Sequence, residues 1–587
     1  MHFIIISKED GFENESINNR YLNSVKAPSL ISDNVEKIEI GDFIVYLYLY
    51  DQIIEEQEGN SYYFDGNRLL ISNGIYSLDG NIVKDIKETF KNLDSRLYGD
   101  YQLISIDEKG NGFFKTPDFS LKQLFFYEDE NCKILSSEIK LIIDGVQNFK
   151  EKKFVENYDL DFFYDSIYNE WGKRKFPKNT IFKNIKRIFP HDSKCFKEGK
   201  IIIFRNENIN IPKLFKKQFE CSRNLLYDRY YKELVNLTTK NLEMMKPNVS
   251  KIRLGLTGGF DSRLAAAILY KVCDKLEINF LCHTSGKMEH PDVVIAKKIC
   301  KVLNIEHEHN IPDSGKGIYP QKIEEYMRSF YNFQGDRNSN DYWPIDRKIV
   351  DSDEINHSGM DAFKRYNMNL IYSGNRWFAR SILFRNNFFF PLFYTENEIY
   401  FALSYGKGRD WTSDYKEFIY EILKRSEPKL LKVPFVGDPL PQTGVDSFST
   451  IELSKFHEKI PFLWDYKFVK RELDFILKKN LYKKIGIKSR LLLDIIGLNE
   501  LDFFLNPKIY KIIKKYRKNK ISLLKTIKML LKEKSNEIYP RNREFIEIKE
   551  NDKNRLVKRK LVILMDYASV ASLNSFEEIE NILFEEN

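Results

Sequence analysis

The stretch Leu254-Gly-Leu-Thr-Gly-Gly-Phe-Asp-Ser-Arg263 decides how the chain is read. KIRLGL (251–256) before the glycines has the character of a short buried strand, and RLAAAILYKVC (263–273) after them that of a buried helix. Thr257-Gly258-Gly259 makes the turn between them, and the helix is expected to begin near Asp261-Ser262. A turn of this kind sets successive backbone N–H groups beside a helix N-terminus, where they and the helix dipole suit a polyphosphate. Two glycines let the backbone approach the anion closely, and Thr257 and Ser262 add hydroxyl donors. Asp261 would repel a bare phosphate, so its place here implies Mg²⁺ between the two. The spacing is neither that of a Walker A loop nor that of a dinucleotide GxGxxG turn.

Working outward, a helix is predicted from about Cys221 to Met245, ahead of the KIRLGL strand. After the loop come a second apolar strand, INFLCHT (278–284), and a second helix, DVVIAKKICKVLN (292–304). This βαβα order predicts a parallel sheet covered by helices. Residues 1 to about 210 read instead as strands with turn punctuation: FIVYLYLY (43–50), RLLISNGIY (68–76), YQLISIDEKGNGFF (101–114), KQLFFYEDENCKILSS (122–137) and KIIIFR (200–205). Helical segments near 84–93 and 158–171 interrupt them, which predicts a mixed α+β layer domain. Beyond about 320 the pattern is mostly helical, and 466–560 is Lys-rich and amphipathic in places. The expected organisation is therefore 1–212, 218–465 and a helical extension, 466–587.

A chain of 587 residues implies two or more domains, and 45 Phe with 34 Tyr supply sizeable cores. The net charge of +8 is mild over that length and reads as a solvated Lys-rich surface or as a preference for an anionic partner. Six scattered cysteines with no CxxC argue against a zinc site and a disulfide framework and fit a reducing cytosol. MHFIIISKEDGF has too short an apolar run for a signal peptide, and no stretch approaches the roughly 18 apolar residues of a membrane span. A cytoplasmic protein without a membrane span is expected.

Thr257–Ser262 resembles the SGGxDS loop of ATP pyrophosphatases, which cleave ATP between the α and β phosphates and leave AMP. Thr257 replaces the first Ser and keeps its hydroxyl, whereas Arg263 replaces a common second Ser. HTSGKMEHPDVVIAKKICKVLNIEHE (283–308) resembles the next strand, loop and helix of asparagine synthetase, whose loop would lie over the adenine end of the nucleotide. The N-terminal half carries four further resemblances to that family. Asn73-Gly-Ile-Tyr76 resembles its NGxIYN stretch, Tyr98-Gly-Asp-Tyr101 its GDF turn, and Ser136-Ser-Glu-Ile-Lys140 its ASEIKAL. Phe176-Pro-Lys-Asn-Thr-Ile-Phe182, running on to Phe189-Pro190, resembles its connection into the synthetase domain. The order and spacing of these segments carry the likeness more than any one of them.

The resemblance implies an N-terminal α+β domain of the Ntn-hydrolase-like glutaminase type and a C-terminal α/β ATP-pyrophosphatase domain with a parallel sheet and extra helices. It implies nucleotide binding by Leu256, Thr257, Gly258, Gly259, Asp261 and Ser262, with ATP and Mg²⁺ as cofactors. Asp353-Glu-Ile-Asn-His-Ser-Gly-Met-Asp-Ala-Phe363 would match the family's strand and GxGADE turn, making Asp361 a second Mg²⁺ carboxylate beside Asp261. Ala362 replaces the family's Glu there, and a helix-capping role for Asp361 stays open. The lysine that stabilises charge on the α-phosphate would be Lys432 in EPKLLKVPF (427–435), with Lys429 as the alternative and a solvated surface role open for both. Phe388–Phe393 and Glu398–Ser404 resemble packing segments of the family. Gln334–Asp341 is a polar cluster that suits either a substrate or an ordinary loop, and His307 with His309 reads as a surface strand or a partial metal site.

The departures lie at the start. Active glutaminases of this class remove the initiator Met and use Cys as N-terminal nucleophile, but position 2 is His2. The Arg-Asp-Arg-x-Gly stretch is replaced by Thr116-Pro-Asp-Phe-Ser120. Glutamine hydrolysis is not expected, which makes the chain similar to β-lactam synthetase and related cyclases. The leading expectation is an AMP-forming carbon–nitrogen ligase that joins a small-molecule, glycan or peptide carboxylate to an amine or ammonia. The alternatives are a degenerate homologue acting as a partner subunit and, against the N-terminal domain, an RNA-modifying ATP pyrophosphatase. Nucleic acid is not the expected partner.

Overall fold

In the computed structural model the described residues are 2–8, 31–50, 61–78, most of 81–143, parts of 179–204, 222–245, 250–310, 354–358, 411–436 and shorter stretches up to 548. The first part runs β1 (His2–Lys8), β2 (Ile31–Ile40), β3 (Phe43–Tyr50), β4 (Ser61–Phe64), β5 (Arg68–Leu78), β6 (Asn81–Ile82) and α1 (Ile86–Lys91). It continues through β7 (Leu97–Asp107), β8 (Gly112–Lys115), β9 (Leu124–Glu128), β10 (Cys132–Ser136), β11 (Ile185–Ile188), β12 (Ser193–Lys197) and β13 (Lys200–Phe204). One antiparallel sheet has the order β11-β9-β10-β1-β3-β2, and the other has β13-β12-β8-β7-β5-β4.

The period of two explains how these sheets meet. Phe3 and Ile5 of β1 and Phe43, Val45 and Leu47 of β3 share one core with Leu69 and Ile71 of β5 and Ile104 and Ile106 of β7. The sheets therefore stack face to face. The alternate residues Ile4, Ile6, Ile44 and Ile134 are buried too, so the first sheet is covered on both faces. Phe90 of α1 packs with Leu70, Tyr101 and Leu103 on the far side of the second sheet. The segment 101–114 folds as a β7–β8 hairpin whose turn is set by Asp107, which accepts the N–H groups of Lys109 and Asn111. The helix expected near 84–93 is α1; the one expected at 158–171 lies outside the described residues.

The second part begins with α2 (Arg223–Met245), β14 (Lys251–Gly255), α3 (Phe260–Leu276), β15 (Asn279–Ser285), α4 (Pro291–Leu303), β16 (Glu306–Asn310) and β17 (Glu354–Ser358). Its sheet is parallel throughout, in the order β16-β15-β14-β17. The chain builds β14, β15 and β16 in one direction and then returns to place β17 on the other side of β14. Strand order thus reverses at β14, and in open parallel sheets ligands bind at the carboxyl ends of the strands at such a reversal. Ile252 and Leu254 of β14, Ala265–Leu269 of α3 and Ile295, Ala296 and Ile299 of α4 form its core. Phe418, Ile419 and Ile422 of α5 (Trp411–Ser426) join that core, and a 3₁₀ helix (Pro428–Lys432), β18 (Phe435–Val436) and β19 (Ser447–Phe448) follow.

The Lys-rich C-terminal stretch contains α6 (Ile487–Ile496), α7 (Pro507–Arg517) and α8 (Leu523–Ser535). Asn506 caps α7 by accepting the N–H groups of Lys508 and Ile509, with Pro507 at the first helical position. No helix among the described residues is long and apolar enough to cross a membrane.

Gly112 tests the ladder of the second sheet. A Cβ there would stand 1.8 Å from the carbonyl oxygen of Ser105 on the paired strand. Gly112→Ala is expected to cost about 2 kcal/mol or more, read as a lower urea midpoint; an unchanged midpoint would show that β8 shifts freely on β7.

Candidate functional site

The loop after β14 is laced to its neighbours by its own backbone. The Leu256 N–H donates to the His283 carbonyl at 2.9 Å, and the Thr284 hydroxyl donates to the Leu256 carbonyl at 2.7 Å. The turn is then closed across its mouth. The Thr257 N–H donates to Ser262 Oγ at 3.0 Å, and the two hydroxyl oxygens lie 2.9 Å apart. The Gly258 N–H donates to Asp292 Oδ1 at 2.7 Å, and the Gly259 N–H makes a long contact of 3.4 Å to Thr257 Oγ1. α3 starts at Phe260 with Gly259 as its N-cap, so no side chain caps it, and Asp261 stands in its first turn. Leu256, Thr257, Gly258, Gly259, Asp261 and Ser262 thus form one continuous strand–turn–helix. Asp292 was not singled out in the sequence. Its signal was the His-Pro-Asp start of α4, where Pro291 opens the helix and the His290 ring accepts the Asp292 N–H.

The two glycines are bare for different reasons. A Cβ on Gly258 would lie 2.1 Å from Val436 Cγ2, so packing of β18 demands glycine there. The Val436 N–H also donates to the Gly258 carbonyl at 2.9 Å. A Cβ on Gly259 would meet nothing nearer than the Thr257 hydroxyl at 3.5 Å, and its φ of −76° is open to any residue. Neither packing nor backbone conformation requires Gly259. What its missing side chain leaves open is the outer face of the loop, the side from which a ligand can meet the backbone.

Arg263 reads in sequence as a departure, and the structure gives it a function in the fold. Its side chain is fully buried. Nη1 donates to the carbonyls of Leu430 (3.1 Å) and Val433 (2.8 Å), and Nη2 to those of Pro434 and, at 3.4 Å, Gly258. The guanidinium carbon lies 3.6 Å from the centre of the Phe435 ring. Burial pushes its pKa down, to about 9, which still leaves it protonated at neutral pH. Lys429 and Lys432 sit on the 3₁₀ helix just before this anchor, both exposed.

Asp361 lies outside the described residues, as do Gln334–Asp341, Phe388–Phe393 and Glu398–Ser404. The strand that leads to Asp361 is described: β17 pairs with β14 so that Ser358 stands opposite Gly255. The sheet edge at which β17 ends is therefore the edge from which the Thr257–Ser262 loop springs. His307 and His309 lie on β16, where His307 Nε2 is 3.0 Å from the Thr284 hydroxyl and His309 Nε2 is 2.8 Å from the Gly286 carbonyl oxygen. Among the described residues no group of three or more His, Cys, Asp or Glu could hold a metal by itself. One carboxylate, Asp261, beside a glycine turn and a helix start is compatible with Mg²⁺, which is commonly held by one or two carboxylates together with phosphates.

In the first part, His2 begins β1 and is buried, with Nδ1 3.4 Å from the Ser137 hydroxyl. Ser137 Oγ also accepts the Phe3 N–H, and Ser136 Oγ donates to the Phe3 carbonyl at 2.8 Å. The Ser136-Ser137 pair thus fixes the start of the chain in the sheet. Asn73–Tyr76 and Gly99–Gln102 face each other across β5 and β7, with Asn73 Nδ2 donating to Gln102 Oε1 at 2.8 Å. Two segments that are far apart in sequence are partners in one ladder.

No protein-family model and no curated protein matches the chain. Among solved structures it is similar to NMN synthetase from Francisella tularensis at 15% identity, over 35% of this chain and 95% of that one, with a TM-score of 0.17. It is similar to a predicted subunit of tRNA methyltransferase from Methanocaldococcus jannaschii at 19% identity, over 31% and 92%, with a TM-score of 0.16. It is similar to glutamine phosphoribosylpyrophosphate amidotransferase from B. subtilis, solved with ADP and GMP, at 9% identity, over 53% and 91%, with a TM-score of 0.22. Scores of this size carry no argument, and the reading of the site rests on its own residues.

The glycines separate packing from binding. Gly258→Ala should lower the melting temperature by several degrees, whereas Gly259→Ala should melt with the wild type yet weaken binding of a nucleotide polyphosphate about tenfold or more. Equal melting losses in both variants would count against this division. His307 offers a pH test. Burial, then the charges of Lys297 and His309, hold its pKa below the ordinary 6.5, with Glu308 opposing them. The unfolded chain therefore takes up a proton first as pH falls, so this contribution to stability is present above 6.5 and lost on acidification toward the folded value. His307→Gln should flatten the melting temperature between neutral pH and that range.

Proposed function

We propose that the chain is an ATP-dependent amide-bond-forming ligase of the asparagine synthetase kind, with a retained glutaminase-like domain that no longer hydrolyses glutamine. The observation that carries the reading is the uncapped helix start at Gly259-Phe260-Asp261, bare on its outer face and set where strand order reverses. The domains would be a 1–212 Ntn-hydrolase-like unit, a 218–465 ATP-pyrophosphatase unit and the 466–587 helical extension.

In this reading Leu256–Gly259 and the first turn of α3 receive the phosphates of ATP, and Asp261 with Asp361 would hold Mg²⁺, which supplies neutralisation of the leaving pyrophosphate. A carboxylate oxygen of the substrate attacks the α-phosphorus, the α–β phosphoanhydride bond breaks, and pyrophosphate leaves. Lys432 offers its ammonium to the charge developing on that group. An amine or ammonia then attacks the acyl carbon, loses a proton and displaces AMP. His2 has no thiolate to open glutamine, so the nitrogen comes from free ammonia, a substrate amine or a separate donor. The carboxylate would belong to a small molecule, a glycan or a peptide. The described cysteines at 132, 195, 273, 282 and 300 are in no disulfide, which suits a cytoplasmic setting.

One observation favours the rival reading of a partner subunit without turnover: Asp292 already holds the Gly258 N–H. Product analysis separates the two. Phosphorus NMR of the protein with Mg-ATP, ammonia and a panel of carboxylates is expected to show AMP and pyrophosphate. ADP and orthophosphate, or no turnover across the panel by a chain that binds ATP, would go against the ligase. Glutamate release from glutamine should stay at the buffer rate; release that depends on His2 would overturn the claim about the first domain.

A further inference from the structure

The feature that the reaction scheme leaves unused is the buried guanidinium beneath the phosphate loop. We propose that Arg263 is the positioning residue for Lys432, coupling the place of that lysine to the phosphate loop. The proposal rests on the nucleotide reading of the loop given above.

Three observations lead to it. First, the bonds bracket Leu431 and Lys432. Nη1 reaches the carbonyls of Leu430 and Val433, which lie on either side of Lys432 in the chain. Second, the same guanidinium reaches the Gly258 carbonyl through Nη2, so one planar group spans the loop and the lysine-bearing segment. The Val436 N–H bond to that same carbonyl closes a second tie between the two. Third, Nη1 and Nη2 donate to neutral carbonyls, and the guanidinium lies over the Phe435 ring. A buried cation held by dipoles is costly to keep. A purely apolar contact between α3 and β18 would hold the core as well, but it would not fix the carbonyls flanking Lys432.

The bracketing also distinguishes the two lysines that the sequence leaves open. Lys429 stands before the bracketed stretch, whereas Lys432 stands inside it, one residue from Val433. The fork explains the residue type too. Lysine places its three donors on one nitrogen and lacks the planar fork, and serine is too short to reach the carbonyls of 430–434.

The test is a double-mutant cycle on the full-length chain, read as affinity for Mg²⁺ α,β-methylene ATP. Lys432→Ala is expected to weaken binding about tenfold. Arg263→Lys should weaken it by a similar factor, and the double variant should bind no worse than either single one. Lys429→Ala should stay within about twofold of wild type. Additive losses, or an Arg263→Lys variant that binds like the wild type, would overturn the positioning role alone. A wild type that does not bind nucleotide would overturn the nucleotide reading and this proposal with it. Amide exchange on the wild type covers the case in which Arg263→Lys does not fold. Nucleotide should slow exchange of the Val433 and Val436 amides, and unchanged exchange there on binding would contradict the coupling.

Discussion

The site depends on how one peptide unit is held. Gly258 is gripped from three sides: its N–H by Asp292 of α4, its carbonyl by the Val436 N–H and Arg263, and its Cα by the Val436 side chain. The grips come from α4, β18 and α3, and the first two lie far from the loop in sequence. The loop is therefore fixed by tertiary contacts before any ligand arrives. Within it the Gly258 N–H is committed to Asp292 and the Thr257 N–H to Ser262. The grip on Gly258 also explains why glycine is needed at one position for packing while Gly259 stays bare on the open side.

Much of this was legible in the sequence. The apolar run of KIRLGL, the paired glycines and the Ala/Leu-rich helix fixed the order strand, turn, helix, and β14 and α3 begin and end within a few residues of that reading. The segments at 43–50, 68–76 and 200–205 became strands, because short runs rich in β-branched and aromatic residues between turn residues suit a buried sheet, and 43–48 is buried on both faces. What the sequence could not show were contacts between distant segments. Asp292 and Val436 carry no local mark of touching Gly258, and Arg263 looks like a lapse from a motif until the carbonyls of 430–434 are seen around it. The same holds for Asn73 and Gln102, whose pairing follows from register.

His2 is buried at the start of β1, beside a serine pair that anchors the strand. Asn73 spends its amide on a cross-strand bond rather than facing a reacting group. The serine bonds tie β1 to the end of β10 within the first sheet, and the Asn73 bond ties β5 to β7 within the second.

The central claim is that the turn at 257–262 is a Mg²⁺–nucleotide site. Calorimetric titration of the full chain with α,β-methylene ATP and Mg²⁺, for the wild type and for Asp261→Ala, tests it most directly because it needs no knowledge of the carboxylate. The account predicts saturable binding by the wild type that is lost, or weakened by at least tenfold, in Asp261→Ala. Binding that survives unchanged in the variant, or none by a folded wild type, would contradict it.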